Sequence, residues 1–182
     1  WRYIVWTGGV DNYFKKYEDA KINYDALEDA GYPTYIVGGA VRDTIMGRPI
    51  KDLDIATKAT PAEVEAVVKS LEGFQYISGG AAAVSIANLI SLVNFPNHEK
   101  GQPHDVEIAT FRKDVGFEKD EHGKKDRTKP ILAPAESLED DLKRRDFTIN
   151  AIAMDKDFQI IDLLNGKADI DAGIVRAVGK PA

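Results

Sequence analysis

The stretch Lys51-Asp52-Leu53-Asp54-Ile55-Ala56-Thr57 decides the fold and points toward a chemistry. Charged and apolar residues alternate through it, which predicts a strand over Leu53 to Ala56. On a strand, acids at i and i+2 project to one face while Leu53 and Ile55 project to the other. Two adjacent carboxylates repel unless a cation sits between them. Oxygen ligands of this kind suit Mg2+, which takes one or two carboxylates and completes its shell with water and substrate phosphate. A half-buried strand with a solvated acidic face has the same pattern, so the surrounding sequence must decide between the two.

Upstream, Thr34 to Val37 is expected to be a short strand running into Gly38-Gly39, followed by a helix over Ala40 to Met46 that stops at Gly47. Before it, the spacing of Tyr13, Phe14, Tyr17, Ala20, Tyr24 and Leu27 predicts a helix within Asp11 to Ala30, ended by Gly31 and Pro33. Trp1 to Val10 supports no assignment. Downstream, Thr60-Pro61-Ala62-Glu63 is a capping box with proline at the first helical position, opening a helix to about Leu71. Phe74 to Ile77, Val84 to Phe95 and Val106 to Phe111 read as strands, with Pro96 to Pro103 as a turn or loop. Lys113 to Lys129, dense in charge and glycine, reads as a mobile loop. A helix starts at Ser137, and a second is expected over Phe147 to Met154. Phe158 to Leu164 and Ile174 to Val178 read as late strands. The sum is an α+β domain, a mixed sheet of about five strands flanked by helices.

A third acid is available in His104-Asp105-Val106-Glu107-Ile108-Ala109, whose strand could lie beside the first. Three carboxylates around one point would serve two metals, one activating an attacking hydroxyl and the other holding a triphosphate and its leaving group. Asp105 and Glu107 are both candidates on the residues alone, and a polar outer face explains Asp105 equally well.

Tyr35-Ile36-Val37-Gly38-Gly39-Ala40-Val41-Arg42-Asp43 is a strand, a double glycine and a helix start. Glycine lets the backbone approach a ligand, amides at a helix start favour anionic oxygen, and Arg42 adds a charged fork for phosphate. A tight turn uses the same glycines, and the spacing of a P-loop is absent. Lys143-Arg144-Arg145-Asp146-Phe147-Thr148-Ile149-Asn150 sets bases, an acid and an amide at a junction of elements. A solvated basic helix end accounts for Lys143. Asp146 and Asn150 lie among Phe147, Ile149, Ala151 and Ile152, where they could read a ribose, with Arg145 on the triphosphate.

The 182 residues suit one domain with a hydrophobic core. With no cysteine, disulfides and thiolate metal sites are excluded. The net charge of −6 leaves long-range attraction to nucleic acid to local basic patches or to other parts of a longer protein. The apolar run from Ala81 to Val93 is too short and polar for a membrane span, and no signal-peptide pattern is present.

In these motifs the chain resembles the class II CCA-adding enzymes and bacterial poly(A) polymerases of the polymerase-β-like nucleotidyltransferase superfamily. The matching segments are Tyr35–Asp43, Lys51–Val64, Val106–Arg112, Ser137–Asp155 and Ile160–Gly179, in family order. The resemblance implies a nucleotidyltransferase head domain over residues 32–182, with residues 1–31 an N-terminal extension and helix, and with neck, body and tail absent. It implies that Asp52 and Asp54 hold Mg2+ with Glu107 as the third catalytic acid. Gly38, Gly39, Arg42 and Arg145 would contact the triphosphate, with Asp146 and Asn150 near the sugar. The implied reaction joins CMP or AMP, from CTP or ATP, to the 3′ end of tRNA or another RNA, in the cytoplasm, with release of pyrophosphate. Poly(A) addition, partial CC or A addition, and nucleotide binding without transfer are the alternatives. Two departures stand out: Ile77-Ser78-Gly79-Gly80-Ala81-Ala82 lacks the histidine usual in that turn, and the hairpin over Asn94 to His104 is longer than usual.

Overall fold

The computed structural model describes residues 18–50, 52–72, 75–77, 89–94 and 105–179. Residues 1–17, the turn after Ile77 through residue 88 and the loop over 95–104 lie outside the described residues, and with them the expectations placed there.

Nine strands are described: β1 (Thr34–Val37), β2 (Asp54–Thr57), β3 (Gln75–Ile77), β4 (Ile90–Asn94), β5 (Asp105–Thr110), β6 (Arg112–Lys119), β7 (Lys125–Pro134), β8 (Ala153–Met154) and β9 (Ile160–Ile161). The helices are α1 (Glu18–Asp29), α2 (Gly39–Ile45), α3 (Pro61–Lys69), α4 (Leu138–Lys143) and α5 (Gly166–Ala172). Seven strands form one sheet in the order β3-β4-β5-β2-β1-β8-β9. Only β2 and β5 pair in parallel there, and the chain between them, with α3, β3 and β4, provides the long crossover that parallel pairing needs. The sheet is mixed, as expected, and exceeds about five strands because the two-residue strands β8 and β9 extend one edge.

Alternation along the strands divides the interior. Ile36, Ile55, Val106 and Ile108 face a core completed by Tyr24 and Leu27 of α1, Val41 and Ile45 of α2, and Val64 and Val68 of α3. Val37, Ala56 and Ala153 face a second, smaller core closed by Phe111, Ala135 and Leu142. α3 opens as its sequence indicates: the Thr60 hydroxyl accepts from the Glu63 amide, and the Glu63 carboxylate accepts from the Thr60 amide at 2.7 Å. Thr60→Ala should therefore lower stability by about 1 kcal/mol in chemical denaturation.

Three expectations are corrected. Lys113 to Lys129 is not a loop: β6 and β7 pair as an antiparallel hairpin with irregular register. Its charges are no obstacle, because a two-stranded ribbon is solvated on both sides and is held by backbone bonds. The Asp120 carboxylate closes the turn by accepting from the amides of His122 and Lys124, with Gly123 at φ +74. Phe147 to Met154 is not a helix. It forms one 3₁₀ turn over Thr148–Asn150 and then β8, because Ala151 to Met154 are buried on every side and Ala153 pairs with Val37 of β1. Ile174 to Val178 is not a strand; it contributes a single bridge, Ala177 to Phe147. α5, which was not anticipated, is opened by Asp162, whose carboxylate accepts from the amides of Gly166 and Lys167.

Candidate active site

Strand pairing sets the acids side by side. Val37 at the end of β1 pairs with Asp54 at the start of β2, and Asp54 pairs with Glu107 on β5. Asp54 and Glu107 share the face that carries Ala56, while Leu53 and Ile55 are buried opposite. The strand begins only at Asp54, so Asp52 stands in the segment leading into it, exposed to solvent. Asp105 begins β5 opposite Asn94; its side chain lies outside the described residues.

Both paired acids are open to solvent yet crowded by protein atoms. That partial burial pushes the Asp54 carboxyl above the ordinary carboxylate range; the Arg145 guanidinium opposes the rise and the Asp52 charge adds to it. Glu107 is likewise raised, by burial and by Asp54, against the pull of Arg112. Asp52 acts on Asp54 and Asp54 on Glu107, so the carboxylates form a locus short of positive charge, and their hard oxygens fit Mg2+. Among the described residues no three His, Cys, Asp or Glu side chains close into a metal cage. An ion that takes one or two carboxylates along with water and substrate phosphate requires none.

The sign of the pH effect follows. An acid whose folded pKa is raised lowers stability above that pKa, and the penalty disappears as pH falls through it toward the unfolded value. In metal-free protein Asp54→Asn should thus raise the melting temperature at neutral pH, with no gain below the ordinary carboxylate range. Thermal melts of both proteins across that interval check this.

Opposite the acids lies a basic wall. A methyl group added at Gly38 would sit 3.0 Å from Arg145 Nη1, 3.8 Å from Asp54 Oδ2 and 3.9 Å from the Asn150 carbonyl, and Gly38 has φ +74. The bend therefore needs glycine for conformation and for space. The Gly38 amide donates to the Ile152 carbonyl at 3.1 Å. Gly38 thus contributes a missing side chain here rather than a free amide. At Gly39 a methyl would make ordinary contact with Arg42 Nη2 at 3.5 Å. Arg42 Nη1 donates to Asn150 Oδ1 at 2.7 Å, and Asn150 Nδ2 donates to the Asp146 carboxylate at 3.3 Å. Gly38, Asp54, Glu107 and Arg145 are gathered in one place. Arg42, Asn150 and Asp146 form a hydrogen-bonded row beside them, with Gly39 next to Arg42.

Two residues here, Arg112 and Asp141, were not singled out from the sequence. Arg112 is partly buried and its pKa is lowered, by burial first and then by Arg144 and Arg145, with Asp141 and Glu107 opposing. Asp141 is buried and accepts from Arg145 Nη2 at 3.0 Å. The sequence carries a signal for it: Asp141 adjoins the buried Leu142 and lies four residues before Arg145 on a helical spacing.

The chain is similar to known proteins in both sequence and fold. The chain is 40% identical over 165 residues to the CCA-adding enzyme of Lactiplantibacillus plantarum, covering 90% of this chain and 35% of that protein. It is 40% identical over 158 residues to the CCA-adding enzyme of Latilactobacillus sakei, covering 85% and 34% respectively. It thus spans about a third of the length of the curated relatives it matches. The fold is similar to the crystal structure of the Bacillus stearothermophilus CCA-adding enzyme in complex with CTP, with a TM-score of 0.67 and 35% identity over 90% of this chain and 34% of that one. Residues 34–176 match the family described as the Poly A polymerase head domain, and the chain belongs to that family.

Proposed function

We propose that the protein is a template-independent RNA 3′-end nucleotidyltransferase that joins CMP and AMP, from CTP and ATP, to the 3′-hydroxyl of tRNA with release of pyrophosphate. The observation that carries this is the pairing of Asp54 with Glu107 beside the Gly38 bend, where the missing side chain leaves room between Arg145 Nη1 and Asp54 Oδ2. Metal-binding acids and a phosphate-binding fork then face one small volume. Relatives named CCA-adding enzymes, one of them solved with CTP, support the same substrates. Nucleotidyltransferase chemistry, the tRNA partner and a cytoplasmic site of action follow from that proposal. Among the described residues no helix is long and apolar enough to cross a membrane.

In this assignment residues 32–182 form the catalytic head, and residues 1–31 are an extension whose helix α1 packs Tyr24 and Leu27 on the head's core. Asp52 and Asp54 hold Mg2+, with Glu107 as the third acid. When bound, the ion neutralises the triphosphate and raises the acidity of the RNA 3′-hydroxyl. Arg145 and Arg42 orient the triphosphate, the Gly38-Gly39 bend lets it approach the sheet, and Asn150 with Asp146 meets the sugar. The incoming oxygen forms its bond to the α-phosphorus as the bond to the departing pyrophosphate breaks, with no covalent enzyme intermediate. The chain's share of catalysis is in-line positioning and charge complementarity.

The family's description favours a second assignment, poly(A) addition. Incubating the natural full-length protein with labelled ATP or CTP, Mg2+ and tRNA lacking its 3′ end separates the two. Addition that stops at CCA supports the proposal, long A-tails support the second assignment, and addition of C or A alone marks a partial enzyme. No addition refutes all three and leaves nucleotide binding. Arg145→Ala should weaken ATP and CTP binding about tenfold or more while changing RNA affinity far less; titration with each ligand reads both.

A further inference from the structure

The buried acids among the described residues are Asp141 and Asp169. Asp169 is taken up by Thr148 and Arg176. Asp141 is different. Its Oδ2 accepts from Arg145 Nη2 at 3.0 Å, and its Oδ1 accepts from the Arg112 backbone amide at 3.2 Å. The side chain is 2% exposed, so this anion lies away from water.

Its placement is fixed from both ends. α4, which carries it, is capped by Ser137, whose hydroxyl accepts from the Asp140 amide at 3.2 Å. Arg112 follows Phe111, whose amide donates to Thr57 at the end of β2 and whose carbonyl accepts from Ala135. The carboxylate is therefore held to the start of β6, one residue beyond the Phe111 bond to Thr57 of β2, the strand that presents Asp54. Around it, Arg144 and Arg145 both act against the charge of Arg112, and Arg145 Nε is buried without an acceptor. Asp141 thus supplies the hydrogen bond that determines where the Arg145 fork points, with Nη1 turned to the Gly38 bend.

We infer that Asp141 is a positioning residue for the incoming nucleotide: it holds Arg145 in the orientation that meets the triphosphate beside Asp54. This rests on the proposed function, since the anion is identified there. An arginine already fixed in its bound geometry loses little freedom when ligand arrives, whereas a released one must be ordered at the cost of affinity.

The test is a cycle of Asp141→Asn, Arg145→Ala and the double variant in the natural full-length protein. KM and kcat for ATP and CTP, nucleotide affinity by titration, and melting temperature are measured for each. Asp141→Asn is expected to weaken nucleotide affinity and raise KM about tenfold, with a smaller change in kcat. It should leave tRNA affinity alone and add nothing to Arg145→Ala. A folded Asp141→Asn with the parent's KM overturns the inference. So does a variant whose full loss persists on the Arg145→Ala background. If Asp141→Asn does not fold, Asp141→Glu keeps the charge, moves the carboxylate by one methylene, and is judged by the same cycle. A parent that binds no nucleotide refutes the function and this inference together; an active parent with indifferent Asp141 variants refutes the inference alone.

Discussion

Asp54→Asn should lower nucleotide transfer by about a thousandfold or more while the folded protein remains at least as stable as its parent. The substitution keeps shape and removes one charge. In the sheet, Asp54 stands between Val37 and Glu107, with Oδ2 close to the Gly38 bend and the Arg145 fork. It is the group that touches both halves of the site, so losing its charge removes a metal ligand and also unbalances Arg145. A merely structural acid would behave in the opposite way, since neutralising it would cost stability and spare turnover. Single-turnover transfer rates and metal-free melting curves, taken together, separate these cases. Turnover within a few-fold of the parent would remove Asp54 from the catalytic group.

Gly166→Ala should lower stability by about 3 kcal/mol or more, since a methyl there meets the tightest contact of any described glycine. A methyl there would lie 2.1 Å from the Thr148 carbonyl oxygen and 2.9 Å from Ile152 Cδ1. Backbone cannot swing aside as a flexible side chain does, so either α5 or the Thr148–Asn150 turn must move. Neither is free. The Thr148 hydroxyl donates to Asp169 at 2.7 Å, its amide donates to the Arg176 carbonyl at 2.9 Å, and Arg176 is paired with Asp169. The same turn carries Asn150, which receives Arg42, so whatever folded population survives should also bind nucleotide more weakly. Denaturant midpoints read the first effect and nucleotide titration reads the second.

Much of the site was legible in the sequence because it is written in strand alternation and turn chemistry, which act locally. Thr34 to Val37 running into Gly38 was readable from β-branched residues meeting glycine. The placement of Leu53 and Ile55 opposite Asp54 was readable from period two. That Glu107 would stand next to Asp54 was not readable from periodicity, because a parallel pair separated by a long crossover leaves no local mark; the family resemblance favoured Glu107 over Asp105. The misreadings have physical causes. Phe147 to Met154 is apolar in nearly every position, and such a stretch fits a buried helix as well as a buried turn and strand; its pairing with β1 is a tertiary outcome. Lys113 to Lys129 lacks apolar positions to bury, yet a hairpin solvated on both faces needs few of them. The burial of Asp141 is a tertiary outcome: an aspartate in a charged run reads as surface until the fold buries it under the β6–β7 root.

The most direct test of the account is a crystal structure of the protein grown with Mn2+ and a non-hydrolysable CTP analogue, located by the anomalous signal of the metal. The account predicts an anomalous peak bonded to Asp54 and Asp52, with Glu107 adjacent. The triphosphate should lie across the Gly38-Gly39 bend within reach of Arg42 and Arg145. A metal peak away from Asp54, or a nucleotide seated elsewhere on the domain, would contradict it.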